Sequence, residues 1–412
     1  MKKKSYLLAV AIALVAGFSS CKNDSDGETE LAFSTLSVEK QKQAIEQNGM
    51  DLIDKMNDLM NSSTFDAIDN FTTLGNGSYA APALAKLKEA LKANDVEALS
   101  SFNQNLINIQ KVSKEGSWGT YTWNQNIQDF VFNAGENNKL VVNFPATKAS
   151  SSNNASFTVI YTNSNVLISK LGDVSDEMND ISTYLPASIN ATLKINNSTT
   201  LECNYAASYD SDAAPLTITQ TLKVDDYNWG LNLSNTDKKN VSTTYHLQKG
   251  KETLMKVEVG ALGSFSKATV QTFIDEEGEN AGDLLSSANV YCQILNVAFV
   301  GKANDIKGLV NSIKGLSDDL DNKAYADKTV EILNKYTDLY GYFISEKKKF
   351  ADVEFYTYSY VDPYGEFDYV NYKWIATTVY KVDTRMVLSD GSKVTMDDYV
   401  RTGFEDLINK FE

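Results

Sequence analysis

The single histidine, His246, is the first residue to consider for catalysis, because imidazole is a common general base near neutral pH. It stands between Tyr245 and Leu247, which carry the apolar phase of a predicted strand. The imidazole is therefore expected on the opposite, solvent-facing side of that strand. No Gly-x-Ser-x-Gly segment is present to supply a hydrolase nucleophile. The sequence favours a surface histidine and predicts no catalytic residue.

Two acidic clusters are candidates for a cation site or for catalytic carboxylates. The first has the spacing of one helix face and consists of Asp173, Asp176, Glu177 and Asp180. The second is the run at residues 275–279. Ca²⁺ takes oxygen ligands of this kind, and glycosidases use paired carboxylates. Neither cluster fits an EF-hand loop, and charged runs are usually solvated, so we predict no metal and no cofactor.

The three cysteines are too few for a disulfide framework or a cysteine-based zinc site. Cys203 and Cys292 both fall on the apolar phase of predicted strands. They can form a disulfide if the two strands are neighbours and the protein lies in an oxidising compartment. We favour two buried thiols, since unpaired cysteine behaves as a small apolar side chain.

Aromatic residues are concentrated between Phe355 and Tyr380. Their alternation predicts a hairpin with three tyrosines on one face of its first strand and further rings on its return strand. Rings with polar ends suit a glycan or a partner surface, but they also suit packing of the sheet under helices, which the sequence favours. The candidate ligand-binding residues are Tyr356, Tyr358, Tyr360, Tyr372 and Trp374.

The first residues have the pattern of a targeting signal. Lys2, Lys3 and Lys4 precede an apolar run at residues 6–18 that is too short to span a bilayer comfortably. Small residues lead directly into Cys21. The segment resembles a lipoprotein signal, which implies removal of residues 1–20 and acylation of Cys21. An ordinary secreted protein with a chance cysteine is the alternative.

Residues 22–30 (KNDSDGETE) are polar and acidic, so residues 21–36 are predicted to form a disordered tether. An acidic stretch after the lipidated cysteine resembles the export signals of Bacteroidetes surface lipoproteins. The chain as a whole resembles uncharacterised lipoproteins of that group. The resemblance implies a lipid-anchored protein of the cell envelope, at the outer membrane, on its surface or its periplasmic face. It implies no activity.

The periodicity of the remaining chain predicts the elements that position these residues. Residues 37–115 have helical spacing, residues 116–303 are rich in strands, and residues 304–412 combine two helices, hairpins and a final helix. Six alternating strands between residues 189 and 259 form an antiparallel meander. The predicted class is α+β, with helices from both ends of the chain on one face of the sheet. Residues 37–412 can form one large domain or several.

Several boundaries are predicted more finely. Residues 289–300 are predicted to form one long strand, and residues 173–185 and 325–344 two helices. The aromatic hairpin is predicted to pair residues 354–361 with 369–380 and to turn at Asp362-Pro363-Tyr364-Gly365, which have typical turn composition. A second hairpin is predicted to turn at Asp390-Gly391.

The formal net charge of −16 argues against a nucleic-acid partner, because phosphates require a basic surface. The sequence therefore favours a non-catalytic, lipid-anchored protein that binds a glycan, a lipid or a protein partner. One alternative is a carrier that holds an acyl chain between sheet and helices. A second alternative is a hydrolase that depends on two carboxylates.

Overall fold

The computed structural model describes residues 31–74, 118–168, 183–275, 281–317, 319–401 and 404. Cys21, the predicted helices of residues 75–115 and the acidic cluster at residues 173–180 lie outside these ranges. Within them the fold is α+β with mostly antiparallel pairing, as predicted. The helices are α1 (Val38–Met60), α2 (Ser63–Thr73), α3 (Lys267–Asp275), α4 (Ala281–Leu284), α5 (Ile306–Lys314), α6 (Asn322–Tyr336) and α7 (Met396–Arg401).

Apolar and polar residues alternate along most strands of the described residues, because one face of each strand is buried and the other is not. They are β1 (Gly119–Asn124), β2 (Asp129–Ala134), β3 (Lys139–Phe144), β4 (Ala155–Ile168), β5 (Thr183–Ile195), β6 (Ser198–Tyr209), β7 (Pro215–Val224), β8 (Tyr227–Ser234), β9 (Asn240–Lys249), β10 (Glu252–Gly263), β11 (Leu285–Ile294), β12 (Val297–Ala303), β13 (Thr337–Phe343), β14 (Lys348–Asp368), β15 (Lys373–Leu388) and β16 (Lys393–Thr395).

The chain divides into two compact units. The middle unit consists of Ile53–Ser234 and Tyr245–Thr253, and the terminal unit contains the remaining described residues. Each unit has its own buried apolar residues.

The middle unit is built on the alternation that predicted its strands. Strand β1 pairs with β2 antiparallel and with β3 in parallel, and β3 to β8 then pair antiparallel in sequence order. Directly paired residues lie on the same face, so apolar side chains form continuous rows across the strands. One such row is fully buried and contains Val142, Phe157, Leu193, Leu201 and Val224.

Helix α2 packs onto this unit by its aromatic face. The Ser62 side chain accepts a hydrogen bond from the backbone N–H of Thr64 and caps the helix. The ring of Phe71 lies 4.6 Å from that of Phe144 in β3. The Asn70 side chain donates a hydrogen bond of 2.7 Å to the backbone carbonyl of Pro145. The helical spacing predicted within residues 37–115 is therefore confirmed at Ser63–Thr73.

The terminal unit pairs β10 to β16 antiparallel in sequence order. One buried cluster joins α4 and α5 to strand residues such as Ala288 and Ala303. A second cluster surrounds Phe343 and Phe350 in β13 and β14. Aspartate side chains at Asp305 and Asp321 cap the starts of α5 and α6 by accepting from backbone N–H groups.

Three boundary predictions are wrong. Residues 289–300 belong to two strands, β11 and β12, because the chain reverses at Leu295, whose φ is 48°. The predicted helix 325–344 ends at Tyr336, and residues 337–343 pair with β12 and β14 instead. Residues 183–185 are the start of β5, so the described end of the predicted helix 173–185 is in fact part of a strand. In each case tertiary pairing overrides a local pattern that suits either structure.

Cys203 and Cys292 are free thiols, on β6 and β11, so the disulfide alternative is wrong. Cys203 is fully buried, and burial raises the pKa of its thiol to about 12. Cys292 is half-buried, and burial raises the pKa of its thiol too. The thiolate is the reactive form, so little of either thiol is reactive near neutral pH.

We expect Cys203 to resist alkylation while the protein is folded. In mildly alkaline buffer, iodoacetamide is expected to leave Cys203 unmodified and to modify it fully in concentrated urea, as peptide mass spectrometry will show. Rapid modification of Cys203 in native buffer, or a linked Cys203–Cys292 peptide pair, would contradict the structure.

Candidate functional site

His246, in the middle unit, lies on the face of β9 that the strand phase predicts, but it is half-buried there and not the expected surface residue. Its neighbours Tyr245 and Leu247 are buried, and the imidazole is half-buried on the other face of β9. The ring lies over Gly230, where a Cβ atom would overlap it. Its Nε2 is 3.4 Å from the Asn228 side-chain nitrogen. The imidazole therefore fills the space above a glycine, which is a packing role.

The aromatic residues lie on a two-stranded extension of the terminal unit. Strand β13 pairs with β14 only up to Asp352, and β16 pairs with β15 only from Arg385 onward. Between these limits, residues 353–384 form a hairpin whose strands pair with each other among the described residues. We call residues 353–384 the arm. Its paired strands extend roughly 40 Å at the rise of a β-strand.

Helix α6 supports the base of the arm on one side. The Asn334 side chain accepts a hydrogen bond from the backbone N–H of Phe355 and donates one to its carbonyl, at 2.8 and 2.9 Å. Phe355 and Val382, on opposite strands of the arm, pack against the apolar cluster that includes α5. One face of the arm is thus attached to helices at its base.

The predicted turn at residues 362–365 is wrong, because these residues form a bulge within β14. Asp362 pairs with Thr377 and Glu366 with Ile375, so Pro363, Tyr364 and Gly365 stand opposite a single residue. Proline has no N–H to donate to a ladder, and a bulge removes that requirement. A side chain at Gly365 would overlap Thr377. Typical turn residues therefore serve here as a bulge.

The real turn is at residues 369–372, where its residues are large and exposed. The Asp368 carboxylate accepts hydrogen bonds from the backbone N–H groups of Val370 and Asn371, at 2.8 and 3.0 Å. It also accepts one from the Asn371 side chain at 2.7 Å. These hydrogen bonds lower the pKa of Asp368, and the one from the Asn371 side chain has the largest effect. A side-chain carboxylate thus fixes a turn that contains neither glycine nor proline.

The five predicted ligand-binding residues do not share one face. Tyr356, Tyr358 and Tyr360 are paired with Asp383, Lys381 and Val379 of β15. Strand β15 is regular in this stretch, so its even-numbered residues, including Trp374, lie on the opposite face. Tyr372 lies in the turn, with a φ of 49°. The structure therefore separates a row of three tyrosines from the rings near the turn.

The row of tyrosines is engaged by cations of its own chain. Rings of successive tyrosines are 6.3 and 6.4 Å apart. The Arg385 guanidinium lies 4.8 Å from the centre of the Tyr356 ring, and the Lys381 ammonium lies 5.1 Å from that of Tyr360. Cation–π contacts of this kind stabilise the arm. Cations of the same chain thus already contact Tyr356 and Tyr360, two of the three rings in this row.

The rings near the turn are the exposed ones. Trp374 is 52% exposed, and Tyr364, Tyr369 and Tyr372 are 67%, 79% and 82% exposed. Phe367 is half-buried and lies 5.1 Å from Trp374, 5.0 Å from Tyr369 and 6.3 Å from Tyr372. The Tyr364 ring is perpendicular to that of Trp374 at 5.8 Å. We call these residues the tip cluster: Tyr364, Phe367, Tyr369, Tyr372 and Trp374.

Sequence reasoning found Tyr372 and Trp374 but missed the other members of the tip cluster. The predicted turn at residues 362–365 lies seven residues before the real one at 369–372, and this error hides Tyr364 and Tyr369. The density of rings between residues 364 and 374 was the available signal. An exposed aromatic group of this size is unusual on a soluble surface, and such groups commonly mark an interaction site.

An ion network fixes the base of the arm. The Glu354 carboxylate accepts hydrogen bonds from Arg385 at 2.7 Å and from Lys393 at 2.8 Å. Burial alone would raise the pKa of Glu354, but the hydrogen bonds from Lys393 and Arg385 outweigh it and hold the pKa below its usual value. Because the pKa of Glu354 is lower in the folded state than in the unfolded state, its charged carboxylate stabilises the fold at pH values above the unfolded-state pKa. This stabilisation is lost as the pH falls through the folded-state pKa.

We therefore expect Glu354→Gln to cost about 1 kcal/mol of unfolding free energy at neutral pH, because the network is only partly shielded from solvent. The difference from wild type should shrink as the pH falls below the usual glutamate range. Urea titrations at several pH values measure it, with the exposed Glu331→Gln as the matched control. A difference that is constant with pH would contradict a role for the charge.

Within the described ranges, no group of three histidine, cysteine or acidic side chains is arranged to hold a metal ion. No helix among the same residues is long and apolar enough to cross a bilayer. Asp275, the described member of the second acidic run, ends α3 and accepts a hydrogen bond from Gln271 at 2.8 Å. No family model, curated protein or solved structure matches this chain.

Proposed function

We propose that this chain is a lipid-anchored protein of the cell envelope that binds a ligand or partner without catalysing a reaction. The tip cluster is its binding surface. The observation that carries the proposal is the exposure of four aromatic rings on a turn fixed by Asp368. A rigid turn with exposed rings loses little conformational entropy when it binds.

The first described residues lie at the end of β14 that is opposite to the tip cluster. Backbone hydrogen bonds join Ala32 and Ser34 to Lys349, beside the start of β14. The tip cluster lies at the far end of the same strand, roughly 60 Å of extended chain away. The residues between Cys21 and Phe33 span at most roughly 40 Å. An anchored chain can therefore hold its tip away from the membrane.

We also propose that helices cover the apolar face of the sheet, as the sequence predicts. Shared clusters of helix and strand residues support this in the terminal unit, where Ile306, Leu309 and Ile313 of α5 pack with Ala288 and Ala303. The acyl-carrier and hydrolase alternatives have no comparable support among the described residues.

Photo-crosslinking in the producing cells tests the binding surface directly. The full chain is made with p-benzoylphenylalanine at position 372, which keeps an aromatic ring and inserts into C–H bonds of any neighbour. We expect an adduct on illumination, and we expect Trp374→Ala in the same chain to reduce it strongly. Position 184, where Tyr184 is an exposed ring of the middle unit, is the matched control. Equal adducts at 372 and 184, or none at 372, would contradict the proposal.

A further inference from the structure

The chemistry of the tip cluster narrows the class of ligand. Three of its residues, Tyr364, Tyr369 and Tyr372, are tyrosines that are 67%, 79% and 82% exposed. Each ring therefore offers an apolar face beside a polar group that is open to donate and accept. A ligand that matches this surface must itself alternate apolar C–H faces with hydroxyl groups, and a sugar ring has that composition.

The rings are also held in place before any ligand arrives. Phe367 is half-buried and contacts Trp374, Tyr369 and Tyr372. Tyr364 stands perpendicular to Trp374, so the two rings form a corner. The hydrogen bonds of Asp368 hold the adjoining turn. A preorganised corner of this kind suits a rigid ring-shaped ligand.

Charge distinguishes neutral from acidic ligands. Lys381 and Arg385 lie over tyrosine rings on the other face of the arm, and the formal net charge of the chain is −16. Asp362 and Asp368 flank the tip cluster and accept backbone hydrogen bonds, and Lys373 stands between Tyr372 and Trp374. The two aspartates outnumber this lysine, which disfavours a polymer of uronic acids or sulfated sugars.

A lipid surface is the strongest rival, because tryptophan and tyrosine also favour the membrane interface. However, the N-terminal segment joins the terminal unit beside Lys349, at the opposite end of β14 from the tip cluster. An anchored chain therefore has its tip cluster remote from its own anchor. We propose, on the basis of the function proposed above, that the tip cluster binds a neutral glycan, with sugar rings stacked on Trp374 and Tyr372.

Affinity electrophoresis of the full chain tests the ligand class. Native gels contain dextran, mannan, xylan, laminarin or soluble starch, and the detergent is a polyoxyethylene ether, which carries no sugar. We expect at least one neutral polymer to retard the chain and polygalacturonate to leave it unretarded. Trp374→Ala and Tyr372→Ala should each weaken retardation about tenfold, as loss of a central aromatic contact does. Tyr184→Ala, the matched exposed control, should not change it.

Every other outcome overturns the glycan assignment. These outcomes are no retardation by any neutral polymer, retardation by polygalacturonate alone, or retardation that the ring variants leave unchanged. Tip-dependent binding to phosphatidylcholine–phosphatidylethanolamine vesicles without retardation would assign the surface to lipid. An adduct at position 372 in cells, together with no retardation, would keep the proposed binding surface and reject the glycan. Melting curves of each variant confirm that it is folded.

Discussion

Replacing Phe350 with alanine is expected to lower the free energy of unfolding by ~3–5 kcal/mol, the usual cost of emptying a large aromatic site in a core. Phe350 is fully buried in the terminal unit. Its ring lies 5.2 Å from that of Phe343 and meets that of Phe299 edge-on at 5.5 Å. Gly341 leaves room for it, because a Cβ there would overlap the ring.

The position of Phe350 in the strand adds to the expected cost. Gly341 pairs with Ala351 and Tyr342 with Lys349, so Phe350 is the extra residue at a register shift of β14. Its ring fills the core at the point where β14 continues toward the arm. Urea titration measures the effect, with Tyr369→Ala as the matched truncation of an exposed ring. A cost below about 1 kcal/mol for Phe350→Ala would show that this cluster is not a core.

Cys21→Ala is expected to release the protein from the membrane fraction. The short apolar run that ends at Cys21 predicts acylation there, and acyl chains supply the attachment. The wild-type chain should sediment with membranes and carry acyl chains in its intact mass. The variant should lose both properties.

Cys292→Ala is the matched control for this experiment. Cys292 is a half-buried thiol on β11 and should leave fractionation unchanged. Sedimentation of Cys21→Ala with membranes, or an acyl chain in its mass, would reject Cys21 as the attachment point.

Periodicity was the part of the sequence that predicted structure well. The predicted meander between residues 189 and 259 corresponds to strands β5 to β10, because residues such as Ala191 and Leu193 alternate strictly with polar ones. The turn at Asp390-Gly391 is confirmed as well, with Gly391 at a φ of 80°. A strand with one buried face has a period of two that no helix shares.

The errors arose where local residue types suit two structures. Asp362-Pro363-Tyr364-Gly365 has turn composition, but pairing on both sides of it makes it a bulge. The real turn has Tyr372 at positive φ, where glycine is usual, and is held by Asp368 instead. Because the turn was misplaced, the candidate site was divided between two faces. Such long-range pairing cannot be seen in a single sequence.

The central claim is that the rings of the tip cluster are available to a ligand and do not form the core. The thermal and urea unfolding of Trp374→Ala tests it most directly. Trp374 is half exposed and contacts only rings of the tip cluster among the aromatic pairs of the described residues. We predict a loss of about 1 kcal/mol or less, the size of an exposed aromatic contact. A loss of ~3–5 kcal/mol, equal to that expected for Phe350→Ala, would place Trp374 in a core and contradict the account.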